Sequence, residues 1–163
     1  MNRADFQQVI EDYWDMVFRI ALNCYGNPRD AEDTTQEVVF KLYQSVCLNG
    51  KCFDSDDHMR NWLIRVTLNS CKSTLRSFWR RNHTSWDELP ETAAISRFGT
   101  SEQSDLYQAV MSLPEPHRVV LYLYYYEDLT TREIAEILHK NEAHVRTKLS
   151  RARIKLKEVW QSE

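Results

Sequence analysis

The sequence predicts an all-α protein made of two small helical domains joined by a flexible linker, the C-terminal one containing a helix-turn-helix. Three observations lead there. Only three Gly and four Pro interrupt 163 residues, so long helices can run without breakers. Apolar residues recur with a period near 3.6, and no alternating pattern of the kind that marks a strand competes with it. Between Asn82 and Ser104, "NHTSWDELPETAAISRFGTSEQS", that period disappears while Ser, Thr and acids accumulate. So long a stretch without its own structure is unusual inside a compact domain and reads as a connection between two. The expected boundaries are a first domain over 1–84, an acidic linker over 85–103 and a second domain over 104–163.

The first helix is expected from Asp5 to Cys24, burying Phe6, Val9, Ile10, Tyr13, Trp14, Val17 and Ala21, and "YGNP" stops it. A second helix starts near Asp30 and aligns Ala31, Thr35, Val38, Leu42 and Val46. "CLNGKCFDSDDH" reads as a loop, followed by a long helix from Met59 to Arg81. On that helix Ile64, Leu68, Cys71 and Leu75 share one side, while Trp62, Arg65, Asn69, Lys72, Arg76 and Arg80 share another. Beyond the linker come a helix over Asp105–Leu113, a break at "PEP" and the Tyr-rich helix "HRVVLYLYYYE". Thr130 and Glu133 then form a capping box before Ile134, Ala135, Ile137 and Leu138, and "HKNE" supplies a turn with Asn141 as the next N-cap. In the last helix Val145, Leu149, Ala152 and Leu156 form the core-facing stripe.

Composition narrows the function classes. No apolar run approaches the roughly 20 residues that cross a bilayer, and "MNRADFQQVIEDYWD" is too acidic for a signal peptide, so a cytoplasmic protein is expected. Cys24, Cys47, Cys52 and Cys71 are irregularly spaced beside apolar stripes and read as buried thiols. Zinc on Cys47, Cys52 and His58 is the weaker alternative, because structural zinc favours tighter pairs. "DSDDHM" lacks a second histidine at helical spacing. With no nucleophile beside a base and no phosphate-cradling glycine loop, no catalytic residue, metal, cofactor or small-molecule substrate is assigned, and the chain is not expected to be an enzyme.

The net charge of −3 averages strong asymmetries: −6 over residues 1–58, +6 over 59–84, −5 over 85–117 and +2 over 118–163. Two basic blocks on an acidic chain point to two polyanion contacts. From Ala143 to Lys157 there are six Arg or Lys and no acid. Thr147, Ser150 and Ile154 lie at the crest of that helix, with Arg146, Arg153 and Lys157 on one shoulder and Lys148, Arg151 and Lys155 on the other. Short polar side chains can approach base edges in a major groove while the cations reach phosphates on both walls. The alternative is a solvated helix end, but such faces usually mix both signs. On the first basic helix, cations interleaved with Trp62 and Asn69 suit a single strand. Lys51, Phe53, Asp54 and His58 could add a pocket for an unstacked base.

"LPEPHRVVLYLYYYEDLTTREIAEILHKNEAHVRTKLSRARIKL" resembles the promoter-recognition domain of bacterial RNA polymerase sigma factors. "DAEDTTQEVVFKLYQS" and "NWLIRVTLNSCKSTLRS" are similar to the sigma domain that melts the promoter. Two domains without extra modules resemble the extracytoplasmic-function (ECF) group. The resemblance implies a promoter-specificity subunit of a signal-responsive regulon. Its partners would be core RNA polymerase, through the β′ coiled coil and the β flap, promoter DNA and an anti-sigma protein that can hold it at the membrane; unbound, it would be a monomer. Asp33, Gln36, Glu37 and Phe40 would dock on β′. Lys51, Phe53, His58, Trp62, Arg65, Asn69, Lys72 and Arg76 would bind the minus-ten element. His144, Arg146, Thr147, Lys148, Ser150 and Arg151 would bind the minus-thirty-five element, and the acidic linker would thread towards the RNA exit channel. The sequence departs from the family by lacking the Gly often found near His139 and His144 and the Glu-Gly where Glu127 and Asp128 stand. Two rivals remain: a stand-alone helix-turn-helix regulator, and a sigma-shaped protein that sequesters a regulator.

Overall fold

A computed structural model describes residues 1–81 and 105–161, the side chains of 75–81 excepted. The expected linker and the side chains of Arg76 and Arg80 lie outside the described residues. The described chain is helical: α1 (Arg3–Tyr25), α2 (Pro28–Tyr43), α3 (Asp56–Arg81), α4 (Asp105–Met111), α5 (Glu115–Leu121), α6 (Thr131–Leu138) and α7 (Glu142–Gln161). One widened π turn extends α2 over Gln44–Leu48 and another extends α5 over Tyr122–Tyr126.

Local chemistry sets the ends of these elements. Asn2 and Asp5 form a reciprocal capping box at the start of α1, and Gly26 ends it in the left-handed conformation. Asn27 caps α2 and Pro28 occupies its first turn, where a missing N–H costs nothing. The long helix begins at Asp56, three residues before the expected Met59. Ser55 Oγ accepts the His58 N–H, and Asp56 and Asp57 complement the positive end of the helix dipole. The expected Thr130–Glu133 capping box is present on α6 with both bonds formed, and Asn141 Oδ1 accepts the His144 N–H at the head of α7.

Helices α1, α2 and α3 form one cluster and α4 to α7 a second. The buried stripes match expectation in α2, in α3 as far as Cys71 and over Val145, Leu149 and Ala152 of α7. Helix α1 differs. Its expected N-terminal residues are half-buried, whereas Met16, Ile20 and Cys24 are buried with Val17 and Ala21. The cause is a second neighbour: α5 packs on α1 as α2 and α3 do. One contiguous apolar core therefore runs through both clusters. Cys24 and Cys71 are buried as expected, but Cys47 and Cys52 are exposed, because the π turn and the loop after it point them outward. No described group of three or more His, Cys, Asp or Glu could hold a metal. No described helix is long and apolar enough to cross a membrane.

Candidate nucleic-acid interface

Four of the residues expected at the minus-ten surface meet in space. Phe53 packs edge-on against His58, with ring centroids 5.2 Å apart, and against Trp62 at 5.5 Å. Lys51 Nζ lies 5.4 Å from the Phe53 centroid and 5.9 Å from that of Trp62. Two local bonds set the loop: the Asp54 N–H donates to His58 Nδ1, and the Lys51 N–H donates to the Ser45 carbonyl. Aromatic faces beside an ammonium can stack an unpaired base and neutralise its phosphate. One, two and three turns along α3 from Trp62 come Arg65, Asn69 and Lys72, of which Asn69 is exposed. Arg65 Nε is shielded from solvent and has no hydrogen-bond partner among the described residues. An orphaned buried donor costs free energy until something accepts from it.

On α7 the crest is open: His144, Arg146, Thr147, Ser150, Arg151 and Ile154 are all exposed over a buried stripe. Arg146 pairs with Glu142 one turn earlier at 3.3 Å, an exposed contact of little energy that a phosphate can displace. Two cations are engaged elsewhere. Arg153 lies over Tyr124 and Tyr125, and its Nε donates to the Tyr125 hydroxyl at 2.6 Å. Lys148 is half-buried and its pKa is lowered, first by burial and then by Lys140 and Lys72, against the attraction of Glu115. The Tyr-rich string, which the sequence reading left without a role, thus supplies part of the surface beside α7; its run of tyrosines was the available signal.

The acidic face of α2 is formed. Asp33, Gln36, Glu37 and Phe40 are exposed, Phe40 at 59 %. Glu37 is not free, since Lys41 Nζ pairs with it at 2.6 Å and also donates to Ser70 Oγ, tying α2 to α3. Asp33, Gln36 and Phe40 are therefore more available than Glu37.

The second cluster grips the first beside these surfaces, which the sequence did not reveal. Arg118, 1 % exposed, donates to the Asn23 and Cys24 carbonyls at the end of α1 and to those of Met111 and Leu113. Arg60 of α3 pairs with the Glu127 carboxylate at 2.9 Å and also donates to the Glu127 carbonyl. Glu115 faces Arg118, Lys72 and Lys148, yet burial outweighs these cations and raises its pKa.

Comparison with known proteins agrees with this geometry. The family description "Sigma-70 region 2" matches residues 9–81, and "Sigma-70, region 4" matches 103–156. The ECF RNA polymerase sigma factor SigW of Bacillus subtilis is 26% identical, over 91% of this chain and 84% of its own. SigM of the same organism is 28% identical, over 94% and 93%. The sigma factor RpoE from Bartonella quintana, solved with the anti-sigma factor NepR, superposes with a TM-score of 0.73 at 21% identity, over 96% of this chain and 97% of its own. CnrH, solved with the cytosolic domain of CnrY, gives 0.65 at 19%, over 99% and 91%. The two domain matches, region 2 followed by region 4 on an all-α scaffold, place the chain in the ECF sigma-factor family, whose members are non-catalytic subunits directing transcription initiation by RNA polymerase.

Proposed function

We propose that this sigma factor divides promoter recognition between two surfaces of different chemistry. Lys51, Phe53, His58 and Trp62 take an unstacked base of the minus-ten element, and Arg65, Asn69 and Lys72, continued by Arg76, follow the displaced strand. His144, Arg146, Thr147, Lys148, Ser150 and Arg151 read the closed minus-thirty-five duplex. Asp33, Gln36, Glu37 and Phe40 meet a basic, partly apolar surface of core polymerase. The domain limits fall at residues 1–84 and 104–163, with the acidic segment 85–103 kept off DNA by its charge.

The clustered Lys51, Phe53, His58 and Trp62 carry this reading, because a helix-turn-helix regulator of closed duplex has no use for half-exposed aromatic rings gathered beside a lysine. Holding one flipped base and its phosphates offsets the few kcal/mol of unpairing, so melting needs no covalent chemistry. The test is binding by the reconstituted holoenzyme to promoter DNA with a pre-opened bubble or fully paired. Asn69→Ala with Lys72→Ala, and separately Trp62→Ala, should weaken binding to the bubble more than to the duplex. Equal losses on both would refute strand capture.

A second reading concerns control. The groove between the clusters, about 460 Å³, is lined by Leu68, Val119, Val120 and Val145 together with Lys72, Lys140 and Lys148, which outnumber the one carboxylate there, Glu115. An acidic amphipathic segment of an anti-sigma protein fits that chemistry. RpoE was solved with an anti-sigma factor, and CnrH with the cytosolic domain of CnrY.

A further inference from the structure

We infer that Tyr124 and Tyr125 make Arg153 a preset phosphate contact: the two rings hold its guanidinium at the edge of the duplex-reading helix, and the Tyr125 hydroxyl donates to the same phosphate. This rests on the assignment of α7 to paired DNA made above. None of the three residues belongs to the set that reads the minus-thirty-five element there.

Arg153 stands two turns along α7 from Arg146 on the same shoulder, so both point towards one wall of a groove that the crest enters. The two arginines are held differently. Arg146 pairs with the Glu142 carboxylate at 3.3 Å, an anion that a phosphate must displace. Arg153 has no carboxylate within ion-pair distance among the described residues. Its Nε donates to Tyr125 Oη at 2.6 Å, and its guanidinium carbon lies 5.3 Å from the Tyr124 ring centroid and 5.5 Å from that of Tyr125. The two rings meet edge to face at 79°, 4.9 Å apart, and form a corner under the cation. A neutral phenol fixes the guanidinium without cancelling its charge. The bond to Tyr125 uses Nε, which leaves terminal N–H groups of the fork for an anion. Because Tyr125 Oη accepts in that bond, its own proton is still there to be given, and the side chain is well placed to give it: Tyr125 is 57 % exposed. A solvated arginine loses rotamer freedom when it meets DNA; this one has already lost it.

The experiment measures binding of the reconstituted holoenzyme, over a range of salt, to fully paired fragments that carry the minus-thirty-five element and stop short of the minus-ten. It compares wild type, Arg153→Ala, Tyr125→Phe and the double variant. Arg153→Ala should weaken binding roughly tenfold on every fragment sequence and lower the slope of log affinity against log salt by about 0.9, as for one phosphate contact. Tyr125→Phe keeps the ring and the cation, so it should weaken binding roughly threefold with the slope unchanged. The double variant should lose less than the two single losses combined, because both act on one phosphate. Wild-type affinity in Arg153→Ala, or a loss confined to particular base sequences, would overturn the inference. So would tighter binding by Tyr125→Phe, since the tyrosines would then be withholding Arg153 from DNA. A Tyr125→Phe loss accompanied by a lowered melting temperature would overturn it too, by making the hydroxyl a prop of the fold. Arg151→Ala is the reference: if it weakens binding and Arg153→Ala does not, only the phosphate contact fails. If neither does, the assignment of α7 to paired DNA fails with it.

Discussion

His139 and Asp128 hold backbone angles that their side chains disfavour, with φ of 55° and 54°. An L-residue in the left-handed region costs roughly 1–2 kcal/mol, least for Asp and Asn. The sequence's departures from its family locate both: glycine is often found near the first and at the second. His139 closes α6, where the following N–H of Lys140 bonds back to the Ala135 carbonyl at 2.9 Å. His139→Gly should therefore stabilise the protein by about 0.5–1 kcal/mol, less than the full strain because glycine also gains freedom in the unfolded chain. A rise in the urea midpoint at unchanged slope would show it; a fall would mean that the imidazole contributes more than the strain costs. Glu115 gives a prediction with a sign in pH. Burial raises its folded pKa above the unfolded value, despite Arg118, Lys72 and Lys148. Its favourable contribution is complete below the usual carboxylate range and is lost as pH rises through the raised value. Glu115→Gln should thus be more stable than the parent at neutral pH, with the advantage vanishing in acid. A melting-temperature series that shows no convergence at low pH would contradict this.

At the level of elements, helix number, order and most buried stripes were legible because a 3.6-residue period survives whatever the helix packs against. The clustering of Phe53, His58 and Trp62 was legible because its members fall on one helix and the loop just before it. Element ends were less so. The π turns over Gln44–Leu48 and Tyr122–Tyr126 leave the apolar pattern almost unchanged, so periodicity could not separate them from helix or loop. Partners that compete for one side chain were also hidden, as with Arg153, taken up by Tyr124 and Tyr125, and Glu37, taken up by Lys41. The open crest of α7 predicts that Arg151→Ala relaxes discrimination at one upstream promoter position by about 1–3 kcal/mol. A binding survey across promoter variants tests this, and a uniform loss at every sequence would make Arg151 a phosphate contact only. For α2, Asp33→Lys should abolish holoenzyme assembly with circular dichroism unchanged. Asp33 is the better probe than Glu37, whose replacement would also break the tie to α3.

Across the whole molecule, the alternation of acidic and basic blocks was legible, since net charge needs no knowledge of packing. The grip between the clusters was not. Arg118 is one cation in a helical string of apolar residues, and the carbonyls that bury it have no sequence signature. Nor does α1 announce that it also packs on a helix contributed from some ninety residues further along. A face needed by two partners widens the apolar stripe without saying whose it is.

The central claim is that two surfaces of one chain, one for paired and one for unpaired DNA, act together on polymerase. Transcription from a library of random promoters with added bacterial core enzyme tests it most directly. The account predicts initiation only when the protein is present, from templates sharing two short elements at a fixed spacing, with the downstream one lost when Trp62 is replaced by Ala. Transcripts that depend on a single duplex element, or no transcripts while the protein alone binds duplex as a symmetric dimer, would contradict it.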